Sequence, residues 1–232
     1  MTSNIYETQP LLEQYLLFHY GTAEQTMPFA FGPREGLDYP KRCVTQCLDV
    51  SALSQNSRAL DLGCSVGRSS FELARFVGQV IGIDLSESFI GAASTLQREG
   101  RLRYRRLDEG RISTELEAVV DPAIDRSRVH FEVGDACNLR AGLGSFDVIL
   151  LANLIDRVPD PIRCLRRVIE LTSPGAQVII TSPYTWLEEF TPESHWLGGI
   201  SIAERSHRTL EGLRSVLGNQ LALVAVKELP FL

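Results

Sequence analysis

No apolar run in this 232-residue chain is long enough to span a bilayer. The longest, around Val148–Leu151, falls far short of the roughly 20 residues a spanning helix needs. There is no basic block, and the net charge is −6. That balance disfavours partners held by their phosphate backbone, so neither nucleic acid nor membrane is expected. The N-terminus, Met-Thr-Ser-Asn-Ile-Tyr-Glu, lacks the pattern of a signal peptide. Internal repeats and low-complexity tracts are missing too. Cysteine is sparse and odd in number: the five thiols sit inside expected helices and strands, and read as reduced residues of a cytoplasmic protein. Cys43 and Cys47 stand one helical turn apart, but no His or Cys cluster completes a site around them. They read as core residues, and no metal is expected.

What is present is ordinary for a folded domain, with 44% hydrophobic and 22% charged residues. The length suits one domain over residues 1–232. Its centre is residues 58–70, Arg-Ala-Leu-Asp-Leu-Gly-Cys-Ser-Val-Gly-Arg-Ser-Ser. Ala59, Leu60 and Leu62 read as a short buried strand. Gly63 and Gly67 punctuate a tight turn, and Ser69 and Ser70 open an amphipathic run through Phe71, Leu73, Ala74 and Phe76. A strand that turns sharply into a helix gathers backbone N–H groups at one crevice. Asp84 follows at the end of a second apolar run, Val80–Ile83, where a carboxylate can take both hydroxyls of a ribose.

The rest of the chain keeps this rhythm. Leu11, Leu12, Tyr15, Leu16, Phe18 and His19 predict a lead-in helix ended by Gly21. Residues 27–40, rich in Phe, Gly and Pro, predict an ordered loop, and Pro40 starts a second helix. Residues 1–50 are expected to cap the active site. Strands are expected near 58–62, 79–84, 129–134, 146–152 and 176–181, with helices over 68–77, 86–98 and 160–171. Ser86 is the expected N-cap of the second of these helices. Alternation of this kind implies an α/β fold with a Rossmann-like, doubly wound, mostly parallel sheet over residues 51–232. Residues 101–128 break the rhythm as an insertion at the sheet's rim, with a short helix at 113–119 and a break at Pro122. A last helix at 209–217 and a last strand at 221–228 complete the expectation.

The glycine spacing chooses among nucleosides. A dinucleotide site asks for Gly-x-Gly-x-x-Gly, but here Gly63-Cys-Ser-Val-Gly67 follows Asp61. An acid two residues before the first glycine repels a pyrophosphate and suits a cation. S-adenosylmethionine carries a sulfonium, an α-ammonium and an α-carboxylate. Asp61 can face its amino-acid end, and N–H groups near Gly63, Ser65 and Gly67 its carboxylate. Residues 131–139 end the third strand in Gly134-Asp135-Ala136, where Asp135 can accept from the adenine amino group and the Ala136 N–H can donate to the ring. Leu85 adjoins the ribose carboxylate. The fourth strand ends at Asn153, where the methyl group is expected.

With these residues in view, the chain resembles the class I S-adenosylmethionine-dependent methyltransferases. Within them it is similar to the mercaptohistidine N-methyltransferases of ovothiol biosynthesis. The resemblance rests on Tyr15-Leu-Leu-Phe-His-Tyr-Gly21, Pro40-Lys-Arg-Cys43, Gly63-Cys-Ser-Val-Gly-Arg-Ser-Ser-Phe-Glu-Leu-Ala74, Val120-Asp-Pro-Ala-Ile-Asp-Arg-Ser-Arg128, Gly134-Asp-Ala-Cys-Asn-Leu139 and Thr181-Ser-Pro-Tyr-Thr-Trp-Leu-Glu-Glu-Phe-Thr-Pro192. It implies methyl transfer to an imidazole nitrogen of 5-thiohistidine, giving ovothiol A and S-adenosylhomocysteine, and association with a sulfoxide synthase of the same pathway. Two departures stand out. Ser65 replaces the glycine most class I enzymes carry, so it must adopt a restricted backbone. The chain also stops near Pro230-Phe231, where the family continues into a final antiparallel strand, so that strand is absent or the chain is shortened.

The acceptor's neighbours are expected from segments that cover the strand ends. They are Tyr15, Phe18, His19 and Tyr20 on the lead-in helix, Phe29 and Phe31 in the aromatic loop, Asn153, Asp156 and Arg157 after the fourth strand, and Tyr184, Trp186, Glu188 and Glu189 after the fifth. Asn153, Tyr184, Glu188 and His19 are the candidate catalytic groups, since a thiol-bearing imidazole must shed a ring proton. Arg42 or Lys41 can bind a carboxylate of cofactor or substrate. Three other readings stay open: a methyltransferase for another small thiol or imidazole, a non-catalytic methyltransferase-fold subunit partnering the sulfoxide synthase, and a nicotinamide oxidoreductase, which the glycine spacing disfavours.

Overall fold

The computed structural model describes residues 5–29, 31–202 and 204–232. Helix α1 (Gln9–Tyr20) and the single-turn α2 (Ala23–Thr26) lead into α3 (Tyr39–Thr45). The body follows as β1 (Arg58–Leu62), α4 (Arg68–Leu73), β2 (Gln79–Asp84), α5 (Glu87–Glu99), a hairpin of β3 (Arg101–Glu109) and β4 (Ile112–Val119), then β5 (Val129–Val133), β6 (Phe146–Ala152), α6 (Pro161–Leu171) and β7 (Thr172–Thr181). A small hairpin, β8 (Ile200–Ile202) and β9 (Arg205–His207), precedes α7 (Thr209–Leu217).

Five strands form one sheet in the order β5-β2-β1-β6-β7, and every pair in it is parallel. The chain winds outward from β1 to β5, then returns to the other side of β1 for β6. That reversal opens a crevice beyond the carboxyl ends of β1 and β6, the place where open α/β sheets bind ligands. Both sheet faces are covered, so the strands carry apolar residues on both sides. Ala59, Val80, Val148 and Leu150 face a core shared with Phe71, Phe89 and Val44, while Leu60, Leu62, Ile149 and Leu151 face Leu165, Val168 and Leu213. This is an α/β Rossmann-like fold, as the alternation of the sequence implies.

Helix ends obey their local signals. Ser86 caps α5 by accepting from the Phe89 N–H at 3.1 Å, and Asp160 caps α6 through the Arg163 N–H at 2.9 Å. The α1 helix stops at Gly21. Three expectations fail. Residues 113–119 form strand β4, because Leu116 and Ala118 turn inward beside Tyr104 and Leu102 while Glu115 and Glu117 stay exposed, a period of two. Residues 221–228 form no strand. The chain there passes α3 instead, with Lys227 Nζ donating to Gln46 O at 2.5 Å, Arg42 to Pro230 O, and Phe231 against Tyr39 at 4.9 Å between ring centres. The α4 helix ends at Leu73, short of residue 77.

The five cysteines are unbridged, and burial pushes the Cys43 and Cys164 thiols up to about 12, so they pack as neutral thiols. Among the described residues there is no cluster able to hold a metal ion, and no helix is long and apolar enough to cross a membrane.

Candidate active site

The turn after β1 is tied to β2 by its own backbone. Gly63 N–H and Cys64 N–H both donate to Ile83 O, at 2.8 and 3.1 Å. Gly63, Ser65 and Gly67 all have positive φ, at 70°, 51° and 85°. Ser65 therefore adopts the backbone that glycine takes freely and other residues adopt at a cost of about 1–2 kcal/mol. The turn is held from the far side as well: Ser65 N–H donates to Asp84 Oδ2 at 2.8 Å, and Ser86 N–H to Asp84 Oδ1 at 2.9 Å. Each Asp84 oxygen spends one lone pair on the scaffold and keeps another for a ligand hydroxyl. Burial raises the Asp84 pKa against these N–H bonds.

Asp61 lies one strand away, 1% exposed. Its Oδ2 accepts from Ser70 Oγ at 2.6 Å, but its Oδ1 has no partner among the described residues. Burial pushes its pKa up to about 7 against the Ser70 bond. The Ser65 hydroxyl is likewise buried and unpaired. Buried polar groups are nearly always satisfied, so this corner is built for a ligand that brings donors. Asp135 uses Oδ1 on the Cys137 N–H at 2.8 Å, and Ala136 is buried beside it. Leu85 is exposed at the rim, 63% accessible. These donors and acceptors fit a cationic adenine nucleoside.

Across the crevice, Asn153 follows the end of β6, and its φ is 53°. Asn153 N–H donates to Thr181 O at 2.9 Å at the tip of β7. The Tyr39 hydroxyl lies 2.7 Å from Asn153 Oδ1 and 2.8 Å from Thr181 Oγ1. The start of α3 is thereby fastened over two strand ends, and Ser69 Oγ adds a bond to Pro40 O at 2.9 Å. Next to this tip, Asp156 is fully buried, gripped by Arg157 at 2.7 Å, Ser182 at 3.1 Å and Thr185 at 3.2 Å. Arg157 in turn lies over the Phe190 ring.

The Tyr6 ring meets Tyr15, Phe89 and Phe190 at 6.3, 5.9 and 6.2 Å. Its hydroxyl faces the Tyr15 and Arg157 side chains, and burial raises its pKa. The segment carrying Tyr6 is latched to the start of α5, where Glu7 accepts from the Glu87 and Ser88 N–H groups at 3.0 and 3.1 Å. Negative charge there is favoured by the helix N-terminus.

Several expected site residues lie elsewhere. Trp186 is buried, donates to Thr209 Oγ1 at 2.9 Å and stacks on Trp196, so it belongs to the α7-side core and not to an acceptor pocket. Arg42 donates from Nε to Leu37 O at 2.8 Å and from Nη2 to Pro230 O. Phe29 and Phe31 stack on each other while 62% and 78% exposed. Phe18 packs on Tyr39 and His19. His19, expected as a catalytic group, is buried, and burial together with Arg68 pushes its pKa down to about 3, too weak a base to take a proton near neutrality. Tyr184 sits at φ 56° and is half exposed, and Glu188 and Glu189 are exposed beyond it.

Tyr39, Thr181, Ser70 and Tyr6 escape sequence reasoning. A tyrosine just before a helix-starting proline is the one signal that points to Tyr39, and it is weak.

The sequence matches the family described as "Methyltransferase domain" over residues 60–180, just over half the chain. Norajmaline N-methyltransferase of Rauvolfia serpentina is 32% identical over 124 residues, 53% of this chain and 35% of that protein. Ubiquinone biosynthesis O-methyltransferase of Xanthomonas axonopodis pv. citri is 23% identical over 183 residues, 78% of this chain and 66% of that one. The chain thus spans between about a third and two thirds of the length of these curated relatives. Among solved structures, the [4+2]-cyclase SpnF superimposes with a TM-score of 0.52 at 22% identity, covering 76% of this chain and 57% of its own, a likeness of fold. With its glycine turn, the buried Asp84 that braces it and a family match across the strands that carry them, this chain belongs to the class I S-adenosylmethionine-dependent methyltransferase-domain family.

Proposed function

We propose that the protein methylates a ring nitrogen of 5-thiohistidine, giving ovothiol A, with S-adenosylhomocysteine as the second product. The observation that carries methyl transfer is the pair of buried, unpaired acceptors, Asp61 Oδ1 and Ser65 Oγ, at the turn that Asp84 braces. When bound, S-adenosylmethionine supplies an electrophilic methyl group on a sulfonium. Asp61 meets its cationic end, Asp84 its ribose hydroxyls, and Asp135 with the Ala136 N–H its adenine edge. The thiohistidine choice is supported by the resemblance carried by Tyr15–Gly21, Pro40–Cys43 and Thr181–Pro192.

The chain's own contribution is orientation and exclusion of water. Asn153, fixed by Tyr39 and Thr181, presents its amide to the acceptor ring. Arg157, held by Asp156 and by the carbonyl and hydroxyl of Thr185, fixes the segment after the seventh strand beside that ring. Tyr6 and Tyr15 close the crevice, and burial pushes the Tyr15 hydroxyl far up, so it stays neutral. Asp84 and Asp156 are engaged with the scaffold, which leaves Glu188 and Glu189 at the rim to take the ring proton. A cytoplasmic location and docking to a sulfoxide synthase go with this reading.

The relatives' names favour a second reading, a larger acceptor methylated on nitrogen or oxygen. The test offers the purified protein S-adenosylmethionine with 5-thiohistidine, histidine, ergothioneine or norajmaline, and follows S-adenosylhomocysteine and product mass. Selective turnover of 5-thiohistidine to a product one methylene heavier is expected. Equal turnover of histidine, or preference for norajmaline, overturns the thiohistidine assignment.

A further inference from the structure

Asn153 is held by one end of its amide only. Its Oδ1 accepts from the Tyr39 hydroxyl at 2.7 Å and from the Thr181 hydroxyl at 3.1 Å. The Thr181 oxygen is itself engaged, since it accepts from the Asn153 backbone N–H at 3.1 Å. Two hydroxyl protons therefore need an acceptor at this spot, and the carbonyl end of the amide supplies it. The other end, Nδ2, donates to no group among the described residues. It is not one of the sealed, unpaired polar atoms of the fold either, so it is left for a ligand at the tips of β6 and β7.

A backbone need also favours asparagine here. Its φ of 53° lies in the left-handed region, which glycine, asparagine and aspartate enter at least cost. That need alone does not call for the clamp. Tyr39 and Thr181 reach Asn153 from 114 and 28 residues away, and what they fix is the direction of its side chain. An amide fixed in this way presents two N–H donors and no acceptor.

Once a 5-thiohistidine ring has shed one proton, two of its atoms can accept: the nitrogen that attacks the methyl group and the sulfur. A donor on the attacking nitrogen ties up the lone pair that the displacement needs. A donor on the sulfur leaves that lone pair free and meets negative charge, which makes the bond charge-assisted. We propose that Asn153 Nδ2 donates to the ring sulfur and is the group by which the site tells 5-thiohistidine from histidine. This rests on the thiohistidine reading above. Tyr39 and Thr181 are then positioning residues, which keep the nitrogen end of the amide toward the acceptor. A site built to bond one substrate group rejects the analogue that lacks it, because its own polar atom is then left unpaired.

The experiment measures the calorimetric affinity of the S-adenosylhomocysteine-loaded protein for 5-thiohistidine and for histidine. Wild type is compared with Asn153→Gly and Asn153→Asp, both suited to the left-handed backbone at this position. Asn153→Gly removes the bond and should weaken 5-thiohistidine binding by roughly tenfold or more. Asn153→Asp sets a carboxylate oxygen where Nδ2 stood, faces the sulfur with like charge, and should weaken binding further. Histidine should bind wild type and Asn153→Gly alike, and S-adenosylhomocysteine should load all three proteins alike. Parallel losses for both amino acids place the donor on a group they share, the α-carboxylate above all, and overturn the sulfur contact. Wild-type affinity in Asn153→Gly leaves Asn153 its backbone role alone, and wild-type affinity in Asn153→Asp shows that oxygen faces the acceptor; either result overturns the proposal. If wild type loads S-adenosylhomocysteine but binds no 5-thiohistidine, the thiohistidine reading itself falls, and the sulfur contact with it. Circular dichroism of each variant separates a lost contact from a lost fold.

Discussion

The two walls of the crevice are built by opposite means. The wall proposed for the cofactor is local: Asp61, Gly63, Ser65, Gly67 and Asp84 come from two neighbouring strands and one turn, fastened mainly by backbone N–H groups. The acceptor wall joins side chains far apart in sequence, as Tyr39 does with Asn153 and Thr181, 114 and 142 residues away. A wall made of main chain tolerates substitution at most of its positions but fails at its one buried charge. A wall made of side-chain bonds is tuned residue by residue, which suits the part of an enzyme that selects its substrate.

The sharpest way to break this contrast is Asp61→Asn. On the proposed reading it removes the acid that meets the cofactor's α-ammonium, and it should weaken S-adenosylhomocysteine binding by roughly a hundredfold, read by calorimetry. The same change should raise stability in a pH-dependent way. Asp61 has a folded pKa near 7, above its usual value of 3.8. Its protonated form stabilises the fold fully below about pH 4, and that contribution is lost as pH rises through 7. The asparagine variant should therefore melt higher than wild type at pH 8 and about equally at pH 4; an equal difference at both pH values refutes the burial argument.

Arg157→Met tests the acceptor wall. It leaves the fully buried Asp156 without its cation and should destabilise the fold by about 3 kcal/mol in chemical denaturation, with a further loss in acceptor KM. Next in size, Tyr39→Phe removes the hydroxyl shared by Asn153 and Thr181. A loss of about tenfold in kcat is expected from one misplaced orienting group, while cofactor affinity stays within about twofold. Loss of cofactor affinity instead would show that the two walls are not separable. The smallest effect belongs to Ser65→Gly, which relieves a left-handed backbone at the turn. It should stabilise by up to about 1 kcal/mol in thermal melts, offset in part by glycine's greater freedom in the unfolded chain.

The same division governs what could be read beforehand. Strand positions in the sheet emerged from apolar runs bounded by glycine, because a parallel strand is buried on both faces and carries that signature in one dimension. Ser86 as a cap and Gly21 as a helix stop are equally local. The stretch 112–119 also carries helical spacing, with Ile112, Leu116 and Val119 four and three positions apart, but in the hairpin Ile112 and Val119 are exposed while Leu116 and Ala118 turn inward. Trp186 drew attention as a bulky aromatic after a strand tip, yet Thr209, brought in by α7, claims its N–H. Nothing near position 186 announces that partner.

The sequence by itself determined the strands, the glycine turn and the acids at the strand ends, because each depends on residues within a few positions of one another. Tertiary structure decided that Tyr39 clamps the ends of β6 and β7, that Tyr6 and Glu7 lie over the start of α5, and that His19 is buried where Arg68 keeps it neutral. Those outcomes depend on burial and on side chains that meet across long stretches of chain, and desolvation has no counterpart in a string of letters.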